Sequence, residues 1–301
     1  MKHAIHGVHC AAATPVSRDG TPDLPLFVAH CKALLEEGCH GLALLGTTGE
    51  ANSFGVRTRM ALVDAVVEGG IPANVLVPGT GAPSAEDTIE LTSHAVKAGA
   101  KGVVMLPPYY YKDVSDEGVF RHFARVIEGV GDDRLRIVLY HIPQFSYVPF
   151  SHDLIGRLMD AFPGIVTGIK DSSGDLANME AMCARFPDLG VLAGADPMML
   201  PVLRAGGAGC ITATSNARPD ALRVVWDGWQ DPARAAEVEA AQERIVTWRT
   251  LGNRYVQIPT VKAMVARKRG NDTWVNMMPP LLELTEAERQ DIWAEMERLG
   301  D

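Results

Sequence analysis

The chain has 301 residues, 47% of them hydrophobic and 22% charged, with a formal net charge of −9. This composition fits a globular protein with a sizeable core, in one large domain or two; the acidic balance argues against a nucleic-acid surface, and no uninterrupted apolar stretch is long enough to span a bilayer. No apolar signal-peptide core follows Met1, and the odd, scattered set Cys10, Cys31, Cys39, Cys183 and Cys210 fits a reducing cytosol better than a disulfide framework.

Short apolar runs alternate with longer amphipathic ones along the chain. Residues 8–13 read as a strand and 24–37 as a helix. The pair repeats at 41–45 and 56–68, 74–78 and 84–98, 102–106 and 116–128, 136–140 and 151–161, 165–170 and 176–185, and 191–193 and 197–205, and the run 209–213 ends the series. Alternation at this spacing implies parallel βαβ units. Eight strands in series predict a (β/α)8 barrel over residues 1–218 rather than a doubly wound sheet. Ser84 and Ser115 stand before acidic first-turn residues as N-caps, and Gly99 and Gly129 stand at the C′ positions of their helices. After residue 213 the alternation stops. Residues 219–230, 233–251, 259–269 and 285–299 read as helices, the last opened by a Thr285–Glu288 capping box, so 219–301 is expected to be a helical extension packed on the barrel.

In such a barrel, reacting groups sit at the C-terminal strand ends. Lys170 ends the β-branched run Ile165-Val166-Thr167-Gly168-Ile169. A lysine there is either paired, for instance with Asp171, or used as a nucleophilic amine able to form a Schiff base with a ketone. Tyr140 ends the preceding strand and is expected beside Lys170, where a phenol can relay protons or merely pack. Gly46-Thr47-Thr48-Gly49-Glu50 follows the second strand. It is either a cradle of hydroxyl and N–H donors for a carboxylate or a tight turn with a helix cap, and it lacks the pattern of a phosphate loop. His3, His6 and His9 recur every third residue, but read as ordinary histidines rather than as metal ligands. No C-x-x-C or H-E-x-x-H motif occurs, and no metal or other cofactor is expected.

Taken in order, G-T-T-G-E, the P-P-Y-Y-Y run at residues 107–111, Y-x-x-P at 140–143, G-I-K-D at 168–171 and the glycine-rich eighth strand resemble the pyruvate-dependent class I aldolase family, which includes dihydrodipicolinate synthase and N-acetylneuraminate lyase. The likeness covers nearly the whole chain. It implies that Lys170 forms a Schiff base with a 2-oxo acid, typically pyruvate, and that Tyr140 is the proton relay. Thr47 and Thr48 would bind the substrate carboxylate, with Thr47 also linking Tyr140 to a second tyrosine lent by a neighbouring subunit. Tyr110 would be that tyrosine, in a register uncertain by one within Tyr109-Tyr110-Tyr111. Gly194 and Ile211 would line the pocket through their backbones, and a homotetramer is implied.

Two departures bear on the substrate. Where the synthases carry an arginine for the second substrate's carboxylate, this chain has Phe145, which looks more like the sialic-acid lyases. Those lyases have an acidic pair after the seventh strand, and here only Asp196 remains, followed by Pro197. The expected activity is therefore a Schiff-base lyase, aldolase or dehydratase acting on a 2-oxo-3-deoxy sugar acid and giving pyruvate, with Asp196 accepting hydrogen bonds from sugar hydroxyls. The first alternative is 4-hydroxy-tetrahydrodipicolinate synthase, condensing pyruvate with aspartate semialdehyde, and it would need another arginine such as Arg18 or Arg218 to reach the pocket. A non-catalytic ligand-binding homologue is the alternative from another class. A nicotinamide-dependent reductase lacks its glycine-rich fingerprint after the first strand.

Overall fold

The computed structural model describes residues 3–300. Seven parallel strands form one curled sheet: β1 (Gly7–Cys10), β2 (Gly41–Leu42), β3 (Val103–Met105), β4 (Ile137–His141), β5 (Val166–Asp171), β6 (Gly190–Ala193) and β7 (Gly209–Thr212), in the order β2-β1-β7-β6-β5-β4-β3. The expected third strand at 74–78 is not a regular one. Ala73–Val75 is a 3-10 turn, and the chain then crosses the gap between β2 and β3 as an irregular segment. There Val77 N–H donates to Leu42 O (2.8 Å) and Gly79 N–H to Leu44 O (2.7 Å), while Thr80 N–H donates to Val104 O (3.0 Å) and Val104 N–H to Pro78 O (2.9 Å). The segment closes the (β/α)8 barrel. Pro78 has no N–H for a ladder, and a Cβ on Gly79 would lie 2.2 Å from Leu45 O, so two backbones meet where a strand's side chain would stand.

The helices between strands are α1 (Leu24–Glu36), α2 (Val56–Glu68), α3 (Ala85–Ala98), α4 (Asp116–Val130), the short α5 (Pro143–Ser146), α6 (His152–Ala161), α7 (Leu176–Arg185) and α8 (Met199–Arg204). Ser84 caps α3 and Ser115 caps α4 as their sequences imply. Gly129 lies inside α4, and the left-handed cap is Gly131, at φ 58°. Beyond β7 come α9 (Pro219–Gly228), α10 (Ala235–Gly252), α11 (Gln257–Arg269) and α12 (Glu286–Arg298), the last with the expected capping box. The helix α9 packs against β1 and α10.

Alternation along the strands divides the core in two. Val138 and Tyr140 point into the barrel with Ile5, Ala43, Val77, Leu192 and Ile211, while Ile137 and Leu139 point out toward the helices. The register pairs Tyr140 with Lys170 and Lys170 with Leu192, which puts all three side chains at one level near the C-terminal mouth. At the opposite end, His6 stacks on Trp226, and burial pushes the His9 imidazole down to about 4. Among the described residues no group of His, Cys, Asp and Glu is disposed to hold a metal ion, and no helix is long and apolar enough to cross a membrane.

Candidate active site

Lys170 and Tyr140 are both buried, and the Lys170 Nζ lies 4.1 Å from the centroid of the Tyr140 ring. Asp171 is not the lysine's partner. Its Oδ1 accepts from the N–H and Oγ of Ser173, and its Oδ2 accepts from Asn178 Nδ2. Strand alternation sends Asp171 outward and Lys170 inward, so the paired reading of this lysine fails, and no ion pair holds it among the described residues. Tyr140 Oη is 3.2 Å from Thr47 Oγ1. Burial pushes the Tyr140 phenol up, but the Lys170 ammonium and hydrogen bonds with Thr47, Lys170 and Ser172 outweigh it and hold the phenol below its ordinary value. A phenol shifted that way gives up and regains a proton more readily at neutral pH.

The Gly46–Glu50 turn approaches this pair from the end of β2. Its flanking residues Leu45 (φ 57°) and Glu50 (φ 55°) both hold the left-handed conformation, which costs a non-glycine residue energy. The turn is fixed from behind. The fully buried Lys262 of α11 donates to Glu50 Oε1 at 2.6 Å, and Met278 N–H donates to Glu50 Oε2 at 2.8 Å. Burial pushes the Lys262 ammonium down and Glu50 pulls it partly back. The N–H groups of Thr47 and Thr48 meet no acceptor among the described residues, so both are available to a ligand.

A cavity of about 70 Å³ opens between these elements. Of the nine site residues the sequence implies, Lys170, Tyr140, Thr47, Thr48, Gly194, Ile211 and Phe145 line it. A Cβ on Gly194 would lie 2.0 Å from Ser172 Oγ, which explains glycine at that place. Phe145 stands at the mouth, largely exposed. Asp196 does not line the cavity. It is fully buried, and its Oδ2 accepts from Thr214 Oγ1 (2.9 Å) and Arg249 Nη1 (3.4 Å), so it cannot take sugar hydroxyls directly. Tyr110 lies outside this chain's cavity, 70% exposed and edge-on to Tyr111, while Tyr109 turns back to donate to Asn52.

Sequence reasoning missed Gln144, Ser172, Arg249 and Gln257, all of which line the cavity. The arginine that reaches the pocket is neither Arg18 nor Arg218. Arg218 pairs with Asp220 and covers the Trp248 ring, away from the cavity. Only Ser172 carried a signal, since it follows Lys170 by two residues. Arg249 and Gln257 come from α10 and α11, outside the strand–helix repeat that locates the mouth.

Comparison with known proteins follows the same outline. Residues 4–299 match the dihydrodipicolinate synthetase family. A protein of Chloroflexus aurantiacus described as an uncharacterized DapA-like lyase is 31% identical over 300 residues, covering 97% of this chain and 96% of that one. The crystal structure of dihydrodipicolinate synthase from Agrobacterium tumefaciens superposes with a TM-score of 0.88 at 33% identity, covering 99% of this chain and 100% of that one. YagE of E. coli, solved in complex with pyruvate, superposes with a TM-score of 0.89 at 27% identity and covers 98% of both chains. The chain belongs to the dihydrodipicolinate synthetase family, whose members are pyruvate-dependent lyases of the class I aldolase type.

Proposed function

We propose that the protein forms a Schiff base between Lys170 and a 2-oxo acid, and makes or breaks the carbon–carbon or carbon–oxygen bond next to the pyruvate unit. The observation that carries this reading is a buried lysine with no ion-pair partner among the described residues, whose Nζ lies 4.1 Å from the ring centre of a buried phenol. The amine attacks C2 of the keto acid and the C–N bond forms. Tyr140 carries the proton that lets the carbinolamine oxygen leave as water. The resulting iminium withdraws the electron pair of a breaking bond at C3, leaving an enamine that is reprotonated and hydrolysed. Thr47 and Thr48 hold the carboxylate through hydroxyls and free N–H groups.

The substrate favoured by Phe145 is a 2-oxo-3-deoxy sugar acid that gives pyruvate. Condensation of pyruvate with aspartate semialdehyde is the second reading. It is favoured by Arg249, a cation lining the cavity that can replace the arginine missing at position 145. The exposed aromatic side chains of Tyr110, Tyr111, Phe145 and Tyr147 support assembly into a homotetramer, with a Tyr110 lent across the interface; a fully active monomer by light scattering would contradict it. The free cysteines support a cytosolic setting.

The test of chemistry is borohydride reduction in the presence of pyruvate, followed by intact mass and peptide mapping. The wild-type chain should gain one reduced pyruvyl adduct on Lys170, and Lys170→Ala should gain none while staying folded. An adduct on another lysine, or none at all, refutes the assignment. Pyruvate release from a panel of 2-oxo-3-deoxy acids, set against condensation with aspartate semialdehyde, then separates the two substrate readings, and trapping without any turnover leaves a ligand-binding homologue.

A further inference from the structure

We propose that Arg249 is a specificity-determining residue that receives a second carboxylate, so that the substrate is a 2-oxo acid with an acid group at its far end as well. The inference rests on the Schiff-base reading and assigns the distal half of the same cavity.

Lys170 and Arg249 are the only charged residues among those lining the cavity. Lys170 is taken up with C2 of the substrate, and the first carboxylate belongs to the Thr47–Thr48 turn. Arg249 enters beside Gly194 and Ala195 at the end of β6, three strands away from β2 around the sheet. A ligand anchored at Thr47 and Lys170 therefore extends toward the guanidinium.

The guanidinium is also held in a defined pose. Its Nη1 donates to the fully buried Asp196 at 3.4 Å, and Asp196 is itself fixed by Thr214. With the Gln257 amide oxygen turned toward it, that oxygen accepts from both Nη1 (2.7 Å) and Nη2 (2.8 Å) of Arg249. These contacts use three of the five N–H donors of a guanidinium. The two left are Nε–H and the outer N–H of Nη2, the side-on fork that matches a carboxylate with two parallel hydrogen bonds. Nothing among the described residues accepts from Nε. Asp196 and Gln257 thus set the plane of the guanidinium and leave its carboxylate-binding edge unfilled. A neutral terminal hydroxyl offers that edge one uncharged oxygen, whereas a carboxylate offers two oxygens at the matching spacing and a negative charge.

The experiment compares 2-oxo acids of matched length by the concentration dependence of borohydride trapping: 2-oxoglutarate against 2-oxopentanoate, and 2-oxoadipate against 2-oxohexanoate. Each half-saturating concentration is expressed relative to that of pyruvate on the same protein. In the wild type, the dicarboxylate of at least one pair should half-saturate at a concentration tenfold or more below its monocarboxylate partner. Arg249→Lys keeps the charge but loses the fork and should retain only part of that ratio. The double variant Asp196→Asn/Arg249→Gln, which leaves no buried charge without a partner, should bring the ratio close to one. Equal half-saturation within both pairs in the wild type, or a preference that survives in the double variant, overturns the proposal while the Schiff-base reading stands. Failure of pyruvate itself to be trapped overturns both.

Discussion

Replacing Lys262 with methionine should damage the active site without touching any residue that lines it. Lys262 and Glu50 are both fully buried and meet at 2.6 Å, joining α11 to the Thr47–Thr48 turn across 212 residues of sequence. Removing the ammonium leaves the Glu50 carboxylate buried with a single remaining donor, Met278 N–H. Breaking one side of a buried ion pair costs about 3–5 kcal/mol, because the surviving charge stays desolvated. The same pair also holds Glu50, whose left-handed conformation stores roughly 1–3 kcal/mol of strain. Once the clamp is lost, relaxing that strain moves Thr47 away from Tyr140. Urea unfolding of Lys262→Met should therefore show a loss of about 3 kcal/mol or more, and the half-saturating pyruvate concentration should rise with a fall in kcat. The double variant Glu50→Gln/Lys262→Met, with two neutral partners, should recover most of the stability. A single variant within about 1 kcal/mol of wild type, the range of an exposed pair, would refute the reasoning, as would a double variant no more stable than the single.

Two further outcomes follow from the geometry. Tyr140→Phe should lower kcat by roughly 10²–10⁴-fold, the usual contribution of a general acid–base group, with a small change in pyruvate half-saturation because the Thr47 and Thr48 donors remain; an unchanged kcat in steady-state assays removes Tyr140 from proton transfer. Burial pushes His9 down to about 4 and His30 down to about 3, from an unfolded value of 6.5. The unfolded chain therefore binds more protons below about 6.5, and stability should fall as pH drops from there toward about 4, by up to about 2.7 kcal/mol per pH unit for two protons. His30 Nδ1 faces the Arg269 Nε donor and its Nε2 bonds Asn216 Oδ1, so the folded ring has no room for a second proton. Urea unfolding near pH 7 and pH 5 checks this, and equal stabilities would contradict it.

The parts of the site legible in the sequence are those whose environment is local. The β-branched run before Lys170 can only be a strand, its period of two sends Lys170 and Asp171 to opposite faces, and the next strand over must present Tyr140 at the same level. The same logic misplaces the third strand. The apolar content of 74–78 is right, but a 3-10 turn takes its start, Pro78 lacks a donor, and pairing survives only as isolated bridges. Gly129 misleads for a similar reason: a glycine can sit inside a helix at modest cost, and the residue that must turn left-handed is Gly131.

Asp196 and Arg249 show where local reading stops. An acid after a strand-end glycine reads as a pocket group, yet Asp196 turns away from the cavity: its Oδ2 meets Thr214 and an arginine 53 residues on, and its buried Oδ1 has no hydrogen-bond partner among the described residues. Arg249 and Lys262 stand on helices whose polar residues look solvent-facing in one dimension, since an amphipathic pattern says which side is apolar and not what the polar side meets. Their targets lie in turns 53 and 212 residues earlier in the chain. Each half of such a pair is unremarkable alone: a glutamate after a glycine turn, a lysine in a helix. Only the closed barrel, by carrying the last helices back over the mouth, makes one the counterion of the other and turns the C-terminal helices into the wall that holds the Thr47–Thr48 turn and lines the cavity with Arg249 and Gln257.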